Sequence, residues 1–279
     1  MTDMKKIVDK INYLPAFSRS AMKAIKILQK KDFSINELIQ VLKYDPSLTA
    51  NIIKTANSAY YAHSKEIRNI TTAINYLGRE HLLPVIAVSA SKKYFLEKLD
   101  GYEEHQGEQW EHNLAVAVIS NEINYLEPSV NPGALFTIAL LHDIGKVVVS
   151  FFLTGRLNKL KELVEDDKVD FITAEEEILG LTHPQIGAAI LKKWKFPEDF
   201  IEVVRFHHSP EKWNKPLVRL VVLSDYIAKI IGKTSHYDAL CYSGYESILD
   251  YYNIKSRELD KIISNASEKI ENLIKQFDI

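Results

Sequence analysis

Cysteine is almost absent from this sequence, which has a single one, Cys241, among 279 residues. One cysteine excludes an internal disulfide framework and a cysteine-rich zinc site, and it suits a reducing compartment. If the protein binds a metal ion, the ligands must therefore be histidine, aspartate or glutamate side chains.

An excess of charge of one sign is also lacking. Lys and Arg together number 35 against 37 Asp and Glu, which gives a formal net charge of -2 at pH 7. A nearly neutral chain has no bulk electrostatic attraction to nucleic acid or to an anionic membrane, so we expect neither as a partner. With 46% hydrophobic residues, the composition is that of an ordinary globular protein.

Long apolar runs are missing as well. The most apolar stretch, residues 138–152, is interrupted by His142, Asp143 and Lys146, so we expect no membrane-spanning segment. The first residues lack the charged segment and apolar core of a secretory signal. The sequence therefore predicts a cytoplasmic protein.

Strict alternation of apolar and polar residues is scarce, whereas apolar residues recur at helical spacing along nearly the whole chain. This periodicity predicts an all-α fold. Helix starts are marked by Ser34 with Glu37 three residues later, and by Asp45 directly before Pro46. A glycine, Gly78, is expected to end the helix that begins near residue 70.

The helical pattern divides into three parts, with a predicted linker that consists of Asp100-Gly101 and the polar stretch from Tyr102 to Gln109. We expect an N-terminal helical part (1–105), a second helical bundle (106–235) and an amphipathic C-terminal extension (236–279). The apolar stripe of the extension consists of Leu259, Ile262, Ile263, Ala266, Ile270, Leu273, Ile274 and Phe277. This stripe packs either against the body of the protein or against a partner or second copy of the chain.

His142 and Asp143 lie side by side in the most apolar stretch of the sequence. An ionised carboxylate that leaves water without a partner is strongly destabilising or changes its protonation state. The pair therefore requires a metal ion, another cation or a complete shell of hydrogen bonds.

Further histidines and one aspartate occur in settings that a surface residue does not need: His112, His183, His207, His208 and Asp225. Taken singly, each has an ordinary explanation, such as a solvated histidine, a cationic histidine at a helix C-terminus, or a salt bridge from Asp225 to Arg219 or Lys229. Taken together with His142 and Asp143, they supply five imidazoles and two carboxylates, which is enough for two metal ions.

Carboxylate oxygens can bridge two divalent cations while imidazoles fill the other positions, a mixture suited to iron, manganese or zinc rather than calcium. Asp143 is the natural bridge. Two ions about 3.5–4 Å apart can activate a water and hold both reacting oxygens of a phosphoester. Lys146 lies on the same helical face as Asp143, where it either neutralises a substrate phosphate or extends to solvent as a surface lysine.

At these residues the sequence resembles the HD superfamily, whose signature is a histidine, a His-Asp doublet and a distant aspartate on a helical bundle. With the N-terminal half included, it resembles the HDOD family over roughly residues 14–231. The resemblance is carried by Leu14-Pro15, Asp45-Pro-Ser-Leu-Thr-Ala50, Thr55-Ala-Asn-Ser-Ala-Tyr60, Ile67-Arg-Asn-Ile-Thr-Thr-Ala-Ile74, Leu77-Gly78, Trp110, Leu141-His-Asp-Ile-Gly145, Gly180-Leu-Thr-His183, Ile186-Gly-Ala188, Trp194 and His207-His208.

This resemblance implies an all-helical bacterial signalling module. The related HD-GYP phosphodiesterases place metal ligands at matching positions, which implies two ligand sets here. One set is His112, His142, Asp143 and Asp225, and the other is Asp143, His183, His207 and His208. The Gly-Tyr-Pro segment of those enzymes is replaced by residues 209–215, so cyclic dinucleotide hydrolysis is not implied.

Three functions remain open on the sequence alone. The first is a regulatory HDOD protein with a binuclear metal site, which docks a signalling protein or a small phosphorylated ligand and forms either a monomer or a homodimer. The second is a metal-dependent phosphohydrolase or phosphodiesterase that uses Asp143 and Lys146 in catalysis. The third is a di-iron oxygenase, because related helical sites activate oxygen with iron.

Overall fold

The computed structural model describes residues 2–30, 32–58, 66–102, 105–166, 169–234 and 245–276. Helices are the only regular elements in these ranges, which confirms the all-α prediction. Tyr60, Cys241 and Phe277 lie outside the described residues. The helices are α1 (Thr2–Tyr13), α2 (Arg19–Gln29), α3 (Ile35–Leu42), α4 (Pro46–Ala56), α5 (Ile70–Phe95), α6 (Glu108–Glu122), α7 (Pro132–Leu141), α8 (Lys146–Leu153), α9 (Leu157–Lys161), α10 (Phe171–Leu179), α11 (His183–Lys193), α12 (Glu198–Phe206), α13 (Pro216–Ile230), α14 (Tyr245–Tyr252) and α15 (Ser256–Gln276).

Side-chain caps fix several helix starts. Asp45 Oδ1 accepts a hydrogen bond from the backbone N–H of Leu48 at 3.1 Å, and Pro46 occupies the first turn of α4 as predicted. Ser34 Oγ accepts from the backbone N–H of Glu37 at 3.2 Å and so caps α3. These bonds satisfy N–H groups that have no partner within the helix.

Gly78 interrupts α5 at the position where the sequence predicts a helix end. Its backbone has a φ of 65° and a ψ of 177°, a conformation that residues with a Cβ rarely adopt. The segment before Gly78 and the segment after it are therefore two helices joined at a sharp kink.

The N-terminal helices pack against the rest of the protein through an aromatic cluster. Phe17 lies before α2, and its ring centroid is 5.9 Å from that of Trp194 at the end of α11. Tyr94, on α5, lies 4.9 Å from the same indole. The core is thus continuous from α2 and α5 to α11. The division at residue 105 stays a prediction.

The predicted linker around residue 102 is tied to α8. The backbone N–H of Gly101 donates to Ser150 Oγ at 2.9 Å, and a Cβ on Gly101 would lie 2.2 Å from the Ser150 carbonyl oxygen. Tyr102 and Gln109 are buried, with exposed fractions of 0% and 2%. Both side chains make polar contacts inside the bundle, so these two residues of the predicted linker are part of the packed interior.

The apolar stripe of α15 packs on α6. Ile262, Ala266 and Ile270 are buried there. At the edge of this contact, the Tyr125 hydroxyl donates to Glu258 Oε1 at 2.7 Å. Packing against the body is therefore the role of the described part of this stripe. A homodimer stays a prediction.

The segment Pro132–Leu153 is long and apolar enough, by composition alone, to cross a membrane, although the sequence predicted no such segment. In the structure 83% of its most apolar window is buried inside the protein. The segment is also divided between α7 and α8 by a turn at residues 142–145. These are the properties of core helices.

Two glycines allow α8 to approach α11. A Cβ on Gly145 would lie 1.9 Å from the carbonyl oxygen of His183, and a Cβ on Gly187 would lie 3.2 Å from the backbone nitrogen of Gly145. The turn that carries His142 and Asp143 is thereby held directly against the helix that begins at His183.

We expect Gly145→Ala to destabilise the protein by about 1–3 kcal/mol, because the added methyl group must push α8 and α11 apart. Gly155→Ala is the matched control, since a Cβ on Gly155 meets nothing within 4 Å. Its effect should stay within about 0.5 kcal/mol. Urea unfolding of both variants measures the difference, and equal stability would contradict the close contact.

Candidate metal centre

The structure brings all seven predicted ligands together at the meeting point of α6, α7, α11, α12 and α13. His142 and Asp143 follow the last residue of α7, and His183 is the first residue of α11. Six of the ligands are no more than 2% exposed and the seventh is partly buried. In chain order the cluster consists of His112, His142, Asp143, His183, His207, His208 and Asp225.

Asp143 lies at the centre of this cluster, and its two oxygens face different histidines. Oδ1 is 3.3 Å from His183 Nε2 and 3.4 Å from His207 Nε2. Oδ2 is 3.4 Å from His142 Nε2 and 3.5 Å from His112 Nε2. A carboxylate in this arrangement can offer one oxygen to each of two metal ions.

The ligand atoms form two groups, and within each group all atoms lie within 4.8 Å of one another. The first group, called the His112 position below, consists of His112, His142 and Asp225. The second group, called the His183 position, consists of Asp143, His183, His207 and His208. This grouping matches the two ligand sets implied by the family resemblance, except that Asp143, which the resemblance assigns to both sets, belongs only to the second group. Metal binding itself stays a prediction.

Backbone carbonyl groups orient three of the imidazoles. A carbonyl oxygen only accepts hydrogen bonds, so the Nδ1 atom facing it carries a proton, and in the neutral imidazole Nε2 then keeps its lone pair for a metal. The Nδ1 contacts are His112 with the Lys233 oxygen at 2.6 Å, His142 with the Ala139 oxygen at 2.7 Å, and His207 with the Val204 oxygen at 2.8 Å.

The inward atoms are buried without hydrogen bonds. Among the described residues, no hydrogen-bond partner exists for Nε2 of His112, His183 and His207 or for Asp143 Oδ1. Buried polar atoms are rarely left in this state, because the loss of their hydration is not compensated. Several lone pairs aimed at one point fit divalent cations, so the donor set suits the metal pair that the sequence predicts.

Glu175 and Tyr102 support His183, and sequence reasoning missed both. Glu175 Oε2 accepts from the backbone N–H of His183 at 2.7 Å and lies 3.0 Å from its Nδ1. The Tyr102 hydroxyl donates to Glu175 Oε1 at 2.6 Å. One sequence signal points to Glu175: it lies four residues from both Phe171 and Leu179, on the apolar face of α10.

Two lysines lie inside the cluster. Lys146 Nζ is 2.6 Å from Asp143 Oδ2, and its side chain is 0% exposed, so the alternative of a surface lysine is wrong. Lys229 Nζ is 2.9 Å from Asp225 Oδ2, with a side chain only 1% exposed. Arg219, the other predicted partner of Asp225, contacts Glu127 at 2.6 Å.

Two protonation states suit metal binding directly and one does not. Burial lowers the pKa of His142 to about 4, which keeps this imidazole neutral at pH 7. Burial alone would raise the pKa of Asp143, but His142, Lys146 and the nearby imidazoles hold it well below the ordinary value. A neutral imidazole and an ionised carboxylate are the forms that bind a metal ion. Burial lowers the pKa of His183, but the carboxylates of Glu175 and Asp143 raise it to about 9, so this imidazole must lose a proton to bind a metal ion.

The model of the HDOD domain matches residues 14–210 of this sequence, which is more than half of the chain. The chain belongs to the HDOD family. In the solved structures, an HDOD domain protein of unknown function from Geobacter sulfurreducens has a TM-score of 0.73 at 24% identity, with 97% of this chain and 94% of that chain covered. The HDOD fold expected from the sequence is therefore confirmed.

Two other solved structures share the HDOD fold. A proposed metal-dependent phosphohydrolase from Shewanella amazonensis has a TM-score of 0.61 at 19% identity, covering 96% of this chain and 95% of that one. A proposed signal transduction protein from Marinobacter aquaeolei has a TM-score of 0.73 at 19% identity, covering 97% of this chain and 61% of that one. At these identities the likeness shows the fold.

A curated relative, an uncharacterized protein from Treponema pallidum, is 22% identical to this HDOD protein over 264 residues. The match covers 90% of this chain and 48% of the relative, so the chain spans about half the length of that protein.

We expect Glu175→Gln to weaken metal binding about 10–100-fold, because the carboxylate behind His183 makes its imidazole a stronger ligand. Glu176→Gln is the matched control, since Glu176 is the next residue on α10 and is exposed. Competition against a chromophoric chelator with Zn²⁺ gives both dissociation constants. Equal constants for the two variants would contradict the supporting role of Glu175.

Proposed function

We propose that this HDOD protein is a cytoplasmic regulatory protein with a binuclear centre for iron, manganese or zinc, and that it signals by binding a partner. The observation that carries the proposal is the convergence of seven ligands whose inward nitrogen and oxygen atoms are buried. The partner is a signalling protein or a small phosphorylated ligand.

The chain provides a distinct ligand set for each ion. His112, His142 and Asp225 would hold one ion with the help of Asp143, and His183, His207 and His208 would hold the other, again with Asp143. When bound, such ions act as Lewis acids and can activate a water molecule. The chain itself orients each imidazole through its outer nitrogen and excludes water from the ligand atoms.

The closed surroundings of the ligand atoms favour regulation over turnover. Nε2 of His112, His183 and His207 is inaccessible to solvent in this conformation, whereas a hydrolytic centre must expose its ions to substrate and water. The ligands come from α6, α7, α11, α12 and α13. Because bound ions stabilise the folded state that presents their ligands, metal loading can set the packing of these helices.

A metal-dependent phosphohydrolase is the second candidate. It is favoured by Lys146, whose buried ammonium group lies beside Asp143 where it can neutralise a substrate phosphate. The proposed metal-dependent phosphohydrolase from Shewanella amazonensis with the same fold points in this direction. Nothing among the described residues separately favours the oxygenase alternative.

We expect the wild-type protein, reconstituted with iron, manganese or zinc, to retain two ions per chain. Asp143→Ala and the isosteric Asp143→Asn should retain at most one, because Asp143 contributes to both positions. Asp260→Ala is the control, since Asp260 is exposed on α15. Elemental analysis of folded samples gives the number of metal ions per chain. A wild-type protein that retains no metal would refute the binuclear centre.

Hydrolysis separates the two candidates. On a panel of nucleotides and phosphodiesters, we expect the metal-loaded wild-type protein to be no more active than Asp143→Asn. Activity at least tenfold above Asp143→Asn, and reduced in Lys146→Met, would instead establish the phosphohydrolase. The same panel with Asp260→Ala controls for contaminating activity.

A further inference from the structure

The two metal positions differ in the charged groups behind their ligands. We propose that they are unequal: the His183 position binds the first ion tightly, and Lys146 and Lys229 make the His112 position the weaker one. This inference rests on the proposed metal centre and adds an order of loading and a role for Lys229.

Lys229 opposes an ion at the His112 position. It lies four residues after Asp225 on α13, and its ammonium group contacts Asp225 Oδ2 at 2.9 Å. The other oxygen of Asp225, Oδ1, faces His112 Nε2 at 3.4 Å. An ion bound between Asp225 and His112 is thus separated from a buried positive charge by a single carboxylate group.

Lys146 acts on the same side of the cluster. Its ammonium group contacts Oδ2 of Asp143, the oxygen that faces His112 and His142, while Oδ1 faces His183 and His207. Gln109 Nε2 also donates to Oδ2, at 3.1 Å. Each ammonium group therefore contacts a carboxylate that also faces His112: Lys229 contacts Asp225, and Lys146 contacts Asp143.

The His183 position has a negative charge behind it instead. Glu175, which is 0% exposed, contacts Nδ1 and the backbone N–H of His183. By contrast, His112 and His142 direct Nδ1 to neutral backbone carbonyl groups. The charged group behind the ligands is thus negative at the His183 position, where it is Glu175, and positive at the His112 position, where it is Lys229 and Lys146.

These charges act at short range in a protein interior that screens them poorly. They therefore raise the metal affinity of the His183 position relative to that of the His112 position. An ion at the His183 position is attracted by Glu175 as well as by Asp143. An ion at the His112 position must share the negative charge of Asp225 with Lys229 and that of Asp143 with Lys146. The metal pair therefore loads in two steps.

Titration of the chelator-treated protein with Mn²⁺ tests the inference, with free Mn²⁺ measured by electron paramagnetic resonance. We expect the wild-type protein to bind one ion at least tenfold more tightly than the second. In Lys229→Met the second ion should bind at least tenfold more tightly than in the wild type, with the first unchanged, because an uncharged side chain of similar length replaces the ammonium group.

Two further variants, together with measurements of thermal unfolding, distinguish an electrostatic role of Lys229 from a structural one. Lys229→Gln removes the charge but can still donate to Asp225, so it should also tighten the second ion. Lys215→Met, at an exposed lysine that contacts Glu202, should leave both constants within twofold of the wild type. Without metal, Lys229→Met should unfold at a lower temperature than the wild type, because the buried charge of Asp225 loses its partner. Saturating Mn²⁺ should reduce this difference in unfolding temperature.

Three other results of these titrations would contradict either the unequal affinities or the metal centre itself. If the wild type binds both ions with equal affinity, the two positions are not unequal, although the proposed metal centre still stands. A second ion that binds more weakly in both Lys229→Met and Lys229→Gln would show that Lys229 supports Asp225 as a ligand, and would also overturn the inference. A wild-type protein that binds neither Mn²⁺, iron nor zinc would instead refute the proposed function.

Discussion

The burial of an ionised carboxylate, that of Asp143, is the constraint on which the rest of this centre depends. A charge in that position is stable only when surrounding groups replace its hydration. Here Lys146 and Gln109 contact one oxygen, and imidazoles surround both. Most of these imidazoles direct a lone pair at the same region, which leaves an arrangement better completed by cations than by the protein alone.

The fold brings these groups together from distant parts of the sequence. His112 and Asp225 are far apart along the chain, yet α6 and α13 pack side by side. Gly145 allows the turn after α7 to touch the start of α11, and Gly187 lies in the same contact. Ions that join several helices in this way stabilise their mutual packing, so under the proposed function metal content would be a state that a partner protein detects.

Much of the fold and the ligand set can be predicted from sequence because the relevant signals are local. Helical periodicity predicts the fold class, and a charged residue in an apolar stretch, such as Asp143, stands out at once. The role of Glu175 depends on Tyr102 and His183 lying beside it, and no local pattern shows that. The burial of Lys146 likewise depends on tertiary contacts, because a long side chain on a helix can turn either to solvent or to a buried partner.

The most direct test of the central claim is anomalous scattering from crystals of the zinc-reconstituted protein. We expect two peaks, one in contact with His183, His207 and His208 and the other in contact with His112, His142 and Asp225, with Asp143 between them. Diffraction that shows no peak among these residues in protein saturated with zinc would contradict this claim.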